Sequence, residues 1–339
     1  MSNEEITTAE AGQVKIKRPR GRALRFEEFG VLVVLVILFI AFTIMAPSTF
    51  PTPANLMNIL RQITEVSIMA IGATFVIITA EIDLSPGSIY GFSGAVFALM
   101  MAGGTAPTLC FIAALAIATG IGLVSGTFVT RIGVPAFIIT LCMSMIFRGG
   151  VYIATEGHQV VGIPKDNWPF ALFGSRLGDF RFPSQVIVMA ALIIVFAIIL
   201  KNTSLGFKTY ATGGNIRAAE VSGINTKRIK LFAFGLAGGL AGLAGVVSVT
   251  YLGSLYPTAG SGYEMDVVAA CILGGTNLAG GRGTILGTLI GAAIIGVIKN
   301  ALVLMHVDAY FQTATVGVVI LIGVCVDTMV KRRGDARLA

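Results

Sequence analysis

The sequence predicts an all-α, polytopic membrane protein of about ten transmembrane helices with both termini cytoplasmic. Three observations carry that expectation. Of 339 residues, 55% are hydrophobic and only 12% charged, at a mean hydropathy of +0.87, whereas an ordinary soluble domain carries about 25% charged residues. Apolar runs near the ~20 residues needed to cross a bilayer recur along the chain. Lysine and arginine gather at the chain ends and in one internal loop, so the net charge of +7 speaks of membrane orientation and not of nucleic acid.

The chain divides into a basic segment, 1–28, a transmembrane region, 29–330, and a basic tail, 331–339. Ten hydrophobic segments fill the middle: 29–46, 63–80, 86–102, 107–128, 134–154, 185–200, 229–252, 265–279, 283–305 and 313–330. The third and eighth are short for a span. The first has a long basic leader, exceeds the apolar core of a signal peptide and lacks a small-x-small cleavage site, so it reads as a retained span.

Charge orients the spans. Lys15, Lys17, Arg18, Arg20, Arg22 and Arg25 precede the first, and Lys331, Arg332 and Arg333 follow the last. Both ends then lie inside, which requires an even number of crossings. The 201–230 connection holds Lys201, Lys208, Arg217, Lys227, Arg228 and Lys230 against Glu220 alone. In 155–184, Lys165, Arg176 and Arg181 are balanced by Glu156, Asp166 and Asp179. The first connection is expected inside and the second, with the lone Trp168, outside. Cys110, Cys142, Cys271 and Cys325 sit in apolar runs without metal-like spacing and read as free, buried thiols.

Within the basic loop, "GGNIRAAEVSGIN" (213–225) spells a short capped helix. Asn215 can accept from the next backbone N–H groups, and Gly223 can end the helix in the left-handed conformation. Two turns are unstable alone in water, where about 12–15 residues are needed, so something must hold this helix.

Two polar interruptions follow a different logic. "AEIDLSPGSIYG" (80–91) sets Glu81, Asp83 and Ser85 between apolar segments, and "LGGTNLAGGRGTILG" (273–287) brings Thr276, Asn277 and Arg282 among glycines. They read either as cytoplasmic turns, with Asp83 or Ser85 capping the next helix, or as broken backbone lining a path. On the second reading Glu65, Glu81, Asp83, Ser85, Thr276 and Asn277 are the candidate translocation residues. Glu65 and Asp266, charges inside spans, could face that path or sit at helix ends. Gly235 with Gly239, Gly238 with Gly242, and Gly283, Gly287 and Gly291 repeat every four residues, the spacing of close helix packing. The glycine loop lacks the G-K-[ST] ending of a nucleotide-binding Walker motif. Only His158 and His306 are present, and neither a catalytic nor a metal site can be read.

Three stretches together carry a resemblance: "EIDLSPGS" (81–88), "YATGGNIRAAEVSGINTKRIKLFAFGLAGGLAGLAG" (210–245) and "GYEMDVVAACILGGTNLAGGRGTILGTLIGA" (262–292). In order and at this spacing they resemble the ABC-type sugar permeases, membrane subunits of bacterial ribose, xylose, arabinose and galactoside import systems. The resemblance runs from about residue 50 onward, and Pro86 departs from it where many members carry Val. It implies a bacterial inner-membrane permease paired with a second permease copy, identical or not, two cytoplasmic ATP-binding domains and a periplasmic binding protein that delivers a sugar or polyol. ATP and magnesium would be held by the ATPase, with no cofactor on this chain. It also implies that the coupling loop, 201–228, docks its short helix on the ATPase through Gly214, Asn215, Ala218, Ala219, Ser222 and Gly223. The competing class is a carrier driven by an ion gradient through Glu65, Glu81, Asp83 and Asp266; such a carrier does not require the 213–223 helix.

Overall fold

A computed structural model describes residues 22–178 and 181–308, with 311, 314, 315, 317, 318 and 321 beyond them. The helices are α1 (Arg22–Met45), α2 (Pro53–Ile78), α3 (Pro86–Ala102), α4 (Pro107–Thr127), α5 (Ala136–Thr155), α6 (Ser184–Asn202), α7 (Ser204–Gly214), α8 (Ile216–Val221), α9 (Thr226–Leu252), α10 (Tyr263–Leu273) and α11 (Ile285–Leu304). Local chemistry starts many of them. Pro53, Pro86 and Pro107 open α2, α3 and α4, where a missing N–H costs nothing. Thr52, Thr203, Asn215, Asn225 and Thr284 cap α2, α7, α8, α9 and α11 by accepting a backbone N–H. Wider π-helical turns extend α4 over Phe128–Ile132 and occupy Phe170–Gly174. A two-residue hairpin pairs Arg176–Leu177 with Phe182–Pro183 inside the 155–184 connection.

Among the described residues, six helices are long and apolar enough to cross a membrane: α2, α4 with its π turn, α5, α6, α9 and α11. Two shorter apolar helices, Phe29–Met45 and Pro86–Ala102, accompany them. The chain is therefore a multi-pass membrane protein. In α2, 89% of the apolar window is buried and in α9 78%, against 17% in α5. α2 and α9 form the centre, and α5 turns most of its apolar surface outward.

Lipid tails are as apolar as leucine, so close backbone approach replaces the hydrophobic drive between spans. Gly238, Gly242, Gly287 and Gly291 serve this purpose, whereas Gly283 lies before α11 in the glycine loop, against Thr276 and Ile78. Gly238 faces Ala118 and Gly122 of α4, and Gly242 faces Ala118 and Ala114. Gly287 and Gly291 lie against Gly274 and Ala270, closing α11 on α10.

Several boundaries differ from expectation. α2 starts at Pro53, ten residues before the expected segment, because Asn55, Asn58, Arg61 and Gln62 lower the hydropathy of a helix that continues regardless. Glu65 is thus well inside α2 and not at its end. The expected span 265–279 is an 11-residue helix, α10, about 16 Å at 1.5 Å per residue and too short to cross alone. Broken backbone follows it. α7 answers to no expected segment. Cys110 and Cys271 are buried, but Cys142 is exposed, since it lies on the outward face of α5. Cys325, most of segment 313–330, the tail 331–339 and residues 1–21 fall outside the described residues.

Candidate functional site: a glycine junction and a polar chamber

α8 has the caps its sequence spells. Asn215 Oδ1 accepts from Ala218 N at 3.0 Å, and Gly223 leaves the helix at φ 80°. The amides of Gly223 and Ile224 then return to the carbonyls of Glu220 and Ala219, satisfying the last turn. Glu220 also accepts from Thr226 Oγ1 at 2.8 Å, tying α8 to the start of α9. Ala219 is buried within the chain, whereas Gly214, Asn215, Ala218, Ser222 and Gly223 are exposed. Ile216 and Val221 present apolar surface outward, Val221 at 90% exposure.

The glycines before α8 connect it to the end of α2 and to the glycine loop. A Cβ on Gly213 would strike the Ile78 carbonyl and the Gly281 amide, and one on Gly281 would strike Gly214. Gly280 packs on Ala80 and on the Gly213 carbonyl. Gly281 N donates to Ile78 O at 2.9 Å, and the Tyr210 hydroxyl of α7 donates to Gly283 O at 2.6 Å. The end of α2, the end of α7 and the 274–284 loop therefore meet backbone to backbone.

The first interruption is not a surface turn. Asp83 and Ser85 are 2% and 0% exposed. Asp83 Oδ1 accepts from Ser85 N at 2.8 Å and Ser85 Oγ at 2.6 Å, and Leu84 N donates to Thr140 Oγ1 of α5 at 3.0 Å. Ser85 precedes α3 without capping it. Glu81 forms an ion pair with Lys230 of α9 at 2.5 Å. In the second interruption Asn277 Oδ1 accepts from Ala279 N at 3.1 Å, and its backbone closes the loop onto Arg282 O and Gly280 N. Thr276 is buried beside Gly283, and no hydrogen bond reaches its hydroxyl among the described residues.

Nearer the start of α2 lies a polar chamber of about 390 Å³. Glu65, 3% exposed, accepts from the Tyr90 hydroxyl at 2.8 Å and the Tyr263 hydroxyl at 3.2 Å, both through Oε2. The two rings meet edge to face with centroids 5.2 Å apart. No hydrogen bond reaches Oε1 among the described residues, and Arg61 Nη1, one turn earlier on α2, stands 4.0 Å away. Ser248, Thr258 and Ser261 add hydroxyls to the wall. Arg61 also lies 4.9 Å from the Tyr251 ring centre, with Arg176 5.5 Å from the same ring and bonded to its hydroxyl at 3.0 Å. Just outside, Asp266 pairs with Lys299 of α11.

Of the sequence candidates, the junction draws Glu81, Asp83, Ser85, Thr276 and Asn277 to the α8 end, while Glu65 stands apart in the chamber. Sequence reasoning missed Arg61, Tyr90, Ser248, Tyr251 and Tyr263. A signal existed for Arg61 alone, which precedes Glu65 by four residues on one helix face.

A family model described as "Branched-chain amino acid transport system / permease component" matches residues 55–324. The ribose import permease protein RbsC of Bacillus subtilis (strain 168) is 41% identical over 301 residues, 89% of this chain and 92% of its own. That of Escherichia coli (strain K12) is 42% identical over 309 residues, 90% and 95% of the two chains. The D-allose transport system permease protein AlsC of E. coli (strain K12) is 34% identical, covering 96% and 99%.

Proposed function

Given that this chain belongs to the family of branched-chain amino acid transport system permease components, we infer that it is the membrane subunit of an ATP-driven importer of a sugar or polyol. The relatives named for ribose and allose support that solute class. In this reading the chain lies in a bacterial inner membrane beside a second permease copy, receives solute from a periplasmic binding protein and is driven by a separate ATPase that holds ATP and magnesium. We propose ten crossings with both termini cytoplasmic: nine are assigned to α1, α2, α3 with 80–85, α4, α5, α6, α9, α10 with its flanking loops and α11, and the tenth, expected over 313–330, falls largely outside the described residues.

The observation that carries the reading is α8. It is six residues long, fully capped and outward-facing through Ile216 and Val221. Through Gly213 and Gly214 it touches the end of α2 at Ile78 and the glycine loop at Gly280 and Gly281, and Gly280 in turn packs on Ala80. A helix so short gains little from its own hydrogen bonds. Its exposed apolar side chains suit a groove on the ATPase, with Gly214, Asn215, Ala218, Ser222 and Gly223 shaping the docked surface and Ala219 anchoring the helix from below. Closure of the ATPase would then displace α7 and α8 together and shift the segments carrying Glu81, Asp83, Ser85, Thr276 and Asn277, with Glu65 further along the path.

The test is uptake by membrane vesicles that hold the permease, the ATPase and ATP, with binding protein and labelled D-ribose, D-xylose or D-allose supplied on the opposite face. Ionophores that collapse every ion gradient should leave uptake intact. Uptake that stops with the gradients while ATP remains would transfer the chain to the ion-driven class. For the topology, cysteines placed in 155–184 should react with an impermeant thiol reagent outside intact cells, and those in 201–228 should not. Equal labelling of both loops would end the ten-crossing arrangement.

A further inference from the structure

We propose that the chamber around Glu65 is a solute-recognition subsite of the permease itself, taking an uncharged polyhydroxylated ring. This rests on reading the chain as a permease for such solutes, but it assigns the contacts to named atoms of this chain. Glu65 has its Oε2 filled by Tyr90 and Tyr263, while no hydrogen bond reaches its buried Oε1 among the described residues. A carboxylate accepts about four hydrogen bonds, so acceptor capacity remains on a side chain that lines the cavity.

Oε1 is closed to solvent as it stands, so a hydroxyl reaches it as Arg61 and Glu65 shift, and their separation suits one. Arg61 Nη1 and Glu65 Oε1 are 4.0 Å apart, too far for a direct bond. An oxygen set off their axis can lie about 2.8 Å from both, donating to the carboxylate and accepting from the guanidinium. A sugar hydroxyl does both at once; an ammonium group cannot accept, and a phosphate cannot donate to Oε1 once fully ionised. The neighbouring Ser248, Thr258 and Ser261 serve further hydroxyls, and the Tyr90 and Tyr263 rings offer apolar surface to the C–H face of a ring. The volume of about 390 Å³ is within the range of small-molecule sites, roughly 300–1,000 Å³.

The experiment uses the purified permease–ATPase complex without binding protein. Saturable binding of labelled D-ribose, D-xylose, D-allose and ribitol is measured for the wild type, Glu65→Gln and Tyr263→Phe, alongside 2-deoxy-D-ribose as a hydroxyl-deletion probe. We expect at least one probe to bind, with at least tenfold weaker binding in Glu65→Gln and a several-fold loss in Tyr263→Phe. Glu65→Gln should also lose the preference for ribose over 2-deoxyribose, a change that general loosening of the fold would not produce. If Glu65→Gln fails to co-purify with the ATPase, Tyr263→Phe, which keeps the ring, decides. Absence of saturable binding to the wild type, or unchanged affinity and preference in both variants, overturns the subsite and marks the gap as a water site. Failure of this inference is separable from failure of the functional reading: a wild-type complex that imports with ATP while both variants bind and import normally loses only the subsite. One that binds these solutes but never moves them with ATP loses only the import assignment.

Discussion

The two ends of this helical bundle hold themselves together by different means. At the α8 end, glycines bring three backbones into contact, and the bonds that matter run between main-chain groups, such as Gly281 N to Ile78 O at 2.9 Å. At the chamber, aromatic and charged side chains stand apart around a cavity, and one buried carboxylate oxygen has no hydrogen bond among the described residues. A backbone junction has few rotamers to absorb displacement, which suits it to pass on a push. A side-chain cavity can rearrange around a guest. The contrast separates a part suited to transmitting movement from one suited to holding a solute.

Four substitutions test this division, from the largest expected effect on the fold to the smallest. Gly213→Val forces a side chain against the Ile78 carbonyl and Gly281 amide, neither of which can rotate aside. A cost of about 3 kcal/mol or more is expected, seen as loss of folded protein from the membrane. Normal levels would show that the junction yields, contrary to the mechanical reading. Asp83→Ala removes the acceptor of two buried donors, Ser85 N and Ser85 Oγ. It should cost roughly 1–3 kcal/mol per stranded donor, read as a lower melting temperature of the purified complex.

Gly223→Ala retains the chain path but places a Cβ at φ 80°, at about 1–2 kcal/mol. A modest drop in melting temperature with reduced ATP-driven uptake is the expected pair of results. Val221→Glu should leave melting within roughly 0.5 kcal/mol of wild type, because the side chain is 90% exposed. It should nevertheless abolish co-purification with the ATPase. If Val221→Glu associates and imports normally, α8 is not the docking element and the comparison between the two ends loses its functional meaning.

What could be read beforehand follows the range of the forces involved. The caps of α8 were legible in Asn215 and Gly223 because capping is settled within a few residues. The glycine repeats of α9 and α11 were legible as packing faces, although their partners on α4 and α10 were not. α7 escaped notice because "SLGFKTYATGG" has no apolar run; it is held through Tyr210 to Gly283, 73 residues away. The chamber was invisible for the same reason. Glu65 meets Tyr90 and Tyr263 across 25 and 198 positions, and no local pattern joins them. The start of α2 was misplaced because polar residues there resemble a loop in a hydropathy profile, whereas Asn55 is buried and bonded to Phe50 O and to Asn300.

The chain has a single tryptophan, and its placement gives the molecule a built-in optical reporter. Trp168 is 40% exposed, donates from its indole nitrogen to Thr108 Oγ1 at 3.1 Å and stacks edge-on against Phe111 at 5.0 Å. All indole emission therefore originates at the seam between the 155–184 connection and the beginning of α4. Lifting that connection off Phe111 would wet the ring and shift its emission to longer wavelength, while a protein settling over it would shift the emission the other way. Neither change requires a label, and an event confined to α8 leaves the indole's immediate surroundings untouched. Stopped-flow fluorescence can thus time any event that alters that one face.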